Sequence, residues 1–150
     1  MADLNHYFYL IRNEELKIES FYINYVNKKS EIKIHDDLIE YFWDSIKCIE
    51  FYNPAVMENC KGLCRCGVTV IDKAGNNKLI SIVDTWIEII NTFPDDFFLH
   101  ELPAGNFNRC GYKENVEIPF KKAGWLGDCN TLKNGLLRID KENLLLHLGI

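Results

Sequence analysis

The sequence predicts a single α+β domain, in which a mixed, mainly antiparallel sheet packs against two amphipathic helices at about 36–49 and 77–91, with a short helix closing the chain. Three observations carry this. Two segments place their apolar residues on one face of a helical wheel. Several short β-branched or alternating runs read as strands. The two kinds of element follow one another in irregular order, without the βαβ regularity of a parallel sheet. A length of 150 residues fits one domain, spanning 1–150, which buries roughly 70% of its unfolded surface without needing a metal or a disulfide.

From the N-terminus, "HYFYLI" (6–11) fits a strand or the end of a short helix. In "KIESFYINYVN" the alternation of Phe21, Ile23 and Tyr25 favours a strand, and "EIKIH" (31–35) alternates in the same way. Asp36 then opens a patterned helix, with Asp36 itself as N-cap and Asp37 set against the helix dipole. Leu38, Ile39, Phe42, Trp43, Ile46 and Ile49 form its apolar face. "PAVMENC" (54–60) reads as one short helix with Pro54 in its first turn. "GVTVID" (67–72) is a β-branched strand leading into the turn-forming "KAGNNK".

The next helix, "NKLISIVDTWIEIIN", has the widest apolar arc of the chain, from Leu79 to Ile90 around Trp86, and Pro94 stops it. "FFLHEL" (97–102) is a strand. From 106 to 135 the sequence is rich in glycine and asparagine, with "VEIPF" (116–120) as one short strand whose Pro119 suits an edge or a strand end. "GWLGD" (124–128) reads as a turn around one anchoring Trp125. "GLLRID" (135–140) is the expected final strand, and Asp140 the cap of the closing helix "KENLLLHLGI".

Three of the six cysteines crowd into "CKGLCRCG" (60–67). Structural zinc sites usually bring ligands in C-x2-4-C pairs. Cys60 and Cys64 are three residues apart and Cys64 and Cys66 only one, and no second close pair stands elsewhere. With no C-x-x-C to suggest redox work, the expectation is core packing, Cys64 and Cys66 sharing one strand face by the two-residue period. A small zinc-binding module held by Cys60, Cys64 and Cys66 is the alternative.

Reaction chemistry leaves no signature. The sequence has no G-x-S-x-G, H-E-x-x-H, P-loop or G-x-G-x-x-G. His100 reads as a structural residue of a strand, and His147 as a helix-end residue satisfied by the dipole. No catalytic residue, cofactor or metal ligand is therefore expected, although an unrecognised small enzyme stays open as a further alternative.

Charge points outward. Seventeen basic against twenty-two acidic residues give a net charge of −5, which argues against direct nucleic-acid binding through the phosphate backbone. No apolar run reaches the eighteen or so residues of a membrane span, and the start of the chain lacks a signal-peptide pattern, so a cytoplasmic protein with reduced thiols is expected. Glu40 and Asp44 on the first helix, and Asp84 and Glu88 on the second, are like charges four residues apart. Such pairs cost an isolated helix a few tenths of a kcal/mol and suit docking against basic groups.

The segment "GLCRCGVTVIDKAGNNKLISIVDTWIEIINTFPDDFFL" (62–99) resembles a stretch of the bacterial immunity proteins that accompany polymorphic or contact-dependent-inhibition toxins. The shared pattern is a glycine-led apolar strand, a short turn, an amphipathic helix with a central Trp, a proline-ended loop and another strand. Where an aromatic often precedes the strand glycine in such relatives, this chain has Cys66. The resemblance implies a non-enzymatic inhibitor that binds one cognate toxin domain, often a nuclease, in the cytoplasm. Interfaces in that group differ from pair to pair, so binding positions come from the residues alone. Acidic and aromatic positions flanking loops are expected to carry them, first Asp95, Asp96, Glu101 and Tyr112, then the helix positions Glu40, Asp44, Asp84 and Glu88.

Overall fold

The computed structural model describes residues 4–17, 32–100 and 117–149. The expected strand around Phe21–Tyr25 and the positions Glu101, Cys110 and Tyr112 lie outside them. The described residues form the α+β domain that the patterning predicts. In chain order they give β1 (Asn5–Arg12), a 3₁₀ turn (Asn13–Lys17), β2 (Ile32–His35), α1 (Asp36–Tyr41), α2 (Trp43–Ile46), β3 (Glu50–Asn53) and β4 (Glu58–Lys61). There follow β5 (Val68–Ile71), α3 (Lys73–Asn91), β6 (Asp96–His100), β7 (Glu117–Lys121), α4 (Lys122–Leu137) and β8 (Asn143–Leu148).

Six strands make one sheet in the order β2-β1-β8-β5-β3-β4, and β6 pairs with β7 in a second, two-stranded sheet. Every described pairing is antiparallel. Because successive side chains alternate across a strand, the register sorts the large sheet into two faces. Phe8, Ile32, Ile34, Phe51, Ile71 and Leu145 point to the helices and join Leu38, Ile39, Ile46, Leu79, Val83, Trp86 and Leu132 in the main core. Tyr9, Ile11, Val68, Val70, Leu144 and Leu146 form a second buried cluster on the opposite face.

Four expectations are corrected. The helix expected over 36–49 is interrupted at Phe42, whose carbonyl accepts from the Ser45 amide and from Ser45 Oγ, a tight i→i+3 turn in place of a helical one. Its N-cap is His35, not Asp36: His35 Nδ1 accepts from the Asp37 amide. Residues 54–57 form a hairpin turn and not a helix. Asn53 Oδ1 captures the Ala55 amide, Met57 takes a left-handed φ of 56°, and Cys60 falls in β4. The second long helix starts at Lys73 instead of 77, because Asp72 caps it by accepting from the Gly75 amide.

The largest correction concerns the end of the chain. "GWLGD" and the first half of "GLLRID" belong to α4, and "NLLLHL" is a strand, not a closing helix. In α4, Trp125, Cys129, Leu132 and Leu136 are buried at spacings of four, three and four, which is one helical stripe. Gly135 sits where a Cβ would lie 2.3 Å from Ile32 Cδ1, so glycine permits the close crossing over β2. β8 is the central strand between β1 and β5, buried from both sides, which explains its unbroken run of leucines. Asp140 Oδ1 accepts from the Glu142 and Asn143 amides and so turns the chain into β8.

Candidate functional site

The small sheet carries the expected binding positions that the structure places together. In β6, Phe97 points inward, stacking on Phe120 at 5.7 Å and meeting Trp125 edge-on at 5.0 Å. Phe93 joins the same aromatic group. The two-residue period then turns Asp96 and Phe98 outward. Across the register Asp96 faces Lys121 and Phe98 faces Pro119. Lys121 Nζ donates to Asp96 Oδ1 at 2.8 Å, a contact that raises the lysine's pKa. Phe98 is 59% exposed, Pro119 is exposed, and Asp95 stands exposed beside them. The result is an apolar centre with a charged rim, held on a sheet whose inner face is locked by aromatic packing. Protein-binding surfaces are built in that way.

The other acidic positions are distributed differently. Glu40 pairs with Arg65, whose guanidinium also lies 4.4 Å above the Trp43 ring. Asp44 accepts from Lys47 at 2.5 Å, and that hydrogen bond holds its carboxyl below the usual range. Asp84 accepts from Lys133 at 2.5 Å, tying α3 to α4. Glu88 is exposed on α3. The like-charge spacings noted in the sequence are thus relieved by basic residues from the same or a neighbouring element. Asp95 and Asp96 meet at the β6–β7 face, while the helix positions do not converge on it.

After β4 ends at Lys61 the cysteine segment is a loop, and residues 65–67 do not begin the next strand. β5 begins only at Val68; Gly62 and Gly67 both have positive φ, and Leu63 plugs the core. The Cys64 amide donates to Thr69 Oγ1 at 2.8 Å, and the Gly149 amide donates to the Gly67 carbonyl at 2.8 Å. Cys60 and Cys64 are half-buried, with their sulfurs 4.0 Å apart. Burial and the neighbouring Cys64 thiol push Cys60 up to about 11. Cys66, expected to share the Cys64 face, is exposed, because the backbone has not yet become extended there. Among the described residues no three His, Cys, Asp or Glu side chains come together as a metal-binding group.

A feature without any sequence signal lies on the helix-facing side of the large sheet. His6 Nε2 is 2.8 Å from Asp36 Oδ1, and His6 Nδ1 is 2.7 Å from His147 Nε2. When the carboxylate accepts the Nε2 proton, neutral His6 offers Nδ1 as acceptor, and His147 donates its Nε2 proton to it. His147 Nδ1 is left buried and without a partner among the described residues. The order of groups is that of an acid–base relay, but both rings are closed to solvent, at 1% and 0% exposure. His147 is therefore not at a helix end. It is paired in register with Phe8 and Thr69 in the middle of the sheet.

Burial, followed by the neighbouring His6, pushes the His147 pKa well below its ordinary value. The unfolded chain takes up this proton near pH 6.5 while the folded one does not, so stability falls as pH drops below about 6.5. The slope attributable to one such group is on the order of 1 kcal/mol per pH unit. Urea midpoints between pH 7.5 and 5.5 check this. His147→Gln is expected to show a shallower loss than the parent.

Compared with family models, curated proteins and solved structures, the chain matches none. Among the described residues no helix is long and apolar enough to cross a membrane.

Proposed function

We propose that this chain is an immunity-type inhibitor, which binds a cognate toxin domain in the cytoplasm and neutralises it through the outward face of β6 and β7. The observation that supports this reading is the exposed Phe98 set between Pro119 and the Asp96–Lys121 pair, with Asp95 beside it. A large aromatic ring left in water contributes nothing to folding, whereas at an interface it supplies area at low entropic cost. The acidic rim and the net charge of −5 suit a basic partner surface such as the substrate cleft of a nuclease. Glu101 and Tyr112, the other two loop-flanking positions expected from the sequence, lie outside the described residues.

The test is co-expression with the toxin encoded by the neighbouring reading frame, followed by co-purification. Asp95→Lys with Asp96→Lys is expected to weaken the complex at least tenfold, mainly by slowing association, with the difference shrinking as salt is raised. Absence of any complex with the wild-type chain discards the function. An unchanged affinity in the reversal variant discards these two carboxylates.

A further inference from the structure

At the far side of the domain the charge is reversed. A groove of about 590 Å3 opens between the end of α2, the β3–β4 hairpin and the first turn of α3. Lys47, Lys61 and Lys78 line it from three different parts of the chain, and among the described residues Glu50 is the one carboxylate on its wall. Lys47 is shared with Asp44. Lys61 and Lys78 have no acidic partner within salt-bridge distance among the described residues, although Glu50 faces Lys61 across the hairpin register. Lys121 and Lys133, by contrast, are each tied to an aspartate. α3 spans 19 residues, about 28 Å at 1.5 Å per residue. Its first turn floors the groove and its last turn leads into β6, so the groove and the β6–β7 face lie at opposite ends of that helix.

We propose that this groove binds a small phosphate-bearing anion. Counted with Glu50 and with the Asp44 that shares Lys47, the three ammonium groups leave the groove positive, which calls for an anionic ligand, and lysine meets phosphate well as a point charge. The volume lies within the range of small-molecule sites. Among the described residues no aromatic side chain lines the groove, which favours a compact phosphorylated molecule over a nucleic acid strand stacked on rings. The proposal is independent of the toxin-binding reading.

Cys48 provides the readout. Its thiol is exposed and lines the groove, while exposed Cys66 lies outside it and serves as an internal reference. The native protein is alkylated with iodoacetamide in the presence of inorganic tripolyphosphate, and the rate at each cysteine is followed by peptide mass spectrometry. Tripolyphosphate is expected to slow Cys48 at least fivefold relative to Cys66, and sodium chloride at equal ionic strength is expected to leave the ratio unchanged. Lys61→Gln with Lys78→Gln, two side chains at the surface, is expected to abolish the protection with the circular dichroism spectrum intact. An unchanged Cys48 to Cys66 ratio at millimolar tripolyphosphate overturns the proposal, as does protection that persists in the double variant. Stronger protection by hexaglutamate than by tripolyphosphate overturns the phosphate assignment in favour of an acidic peptide.

Discussion

Trp86→Ala is expected to destabilise the fold by about 3–5 kcal/mol, the range for removing a fully buried aromatic side chain. The indole is 1% exposed in the middle of α3 and stacks on Phe42 with ring centroids 5.0 Å apart. Its Nε1 donates to Ser45 Oγ at 2.9 Å. That serine is the residue whose amide and hydroxyl both bond to the Phe42 carbonyl, where the helix expected over 36–49 breaks. One side chain thus fills the core and fixes the α1–α2 break. Trp86→Phe keeps most of the apolar volume and loses the hydrogen bond, so a loss of roughly 1–2 kcal/mol is expected. Denaturant midpoints of the two variants separate these contributions. Equal losses in both would mean that the hydrogen bond and not the packing dominates.

That tryptophan was legible in the sequence because α3 carries an uninterrupted helical period with polar residues opposite. α4 was not. Its stripe at Trp125, Cys129, Leu132 and Leu136 is regular, but Gly124, Gly127 and Gly135 lower helix propensity, and each glycine costs about 1 kcal/mol relative to alanine. For Gly135 the compensating reason is Ile32, about a hundred residues earlier in the chain, and no local pattern reports it. β8 failed for the opposite reason. "NLLLHL" has no alternation because both of its faces are covered, and a short apolar run is then ambiguous between helix and strand. Capping Asp140 before it made the helix look favoured, whereas the carboxylate actually orders the turn into the strand.

The candidate sites show the same division. A strand at 97–102 followed from β propensity, where the described residues place β6 at Asp96–His100, and the carboxylates at 95 and 96 followed from the turn. Which of Phe97 and Phe98 faces outward depends on where Trp125 docks, and only the tertiary structure fixes that. The Asp36–His6–His147 chain joins residues 141 positions apart, through the insertion of β8 beside β1. The cysteines misled in part because the period-two argument assumed an extended backbone where Gly62 and Gly67 instead hold a loop.

If the outward face of β6 and β7 docks another protein, as proposed, Phe98 is the side chain at its centre. The ring is largely exposed, so Phe98→Ala is expected to change folding stability by no more than about 0.5 kcal/mol. Binding is a different matter: an aromatic at the centre of an interface typically contributes 2 kcal/mol or more, which corresponds to about a thirtyfold loss in affinity. The decisive measurement is the dissociation constant of Phe98→Ala for the co-purified toxin domain, by calorimetry, beside its denaturant midpoint. A loss of thirtyfold or more with an unshifted midpoint is the predicted result. An affinity within threefold of the parent, with the same midpoint, would contradict the assignment of this face.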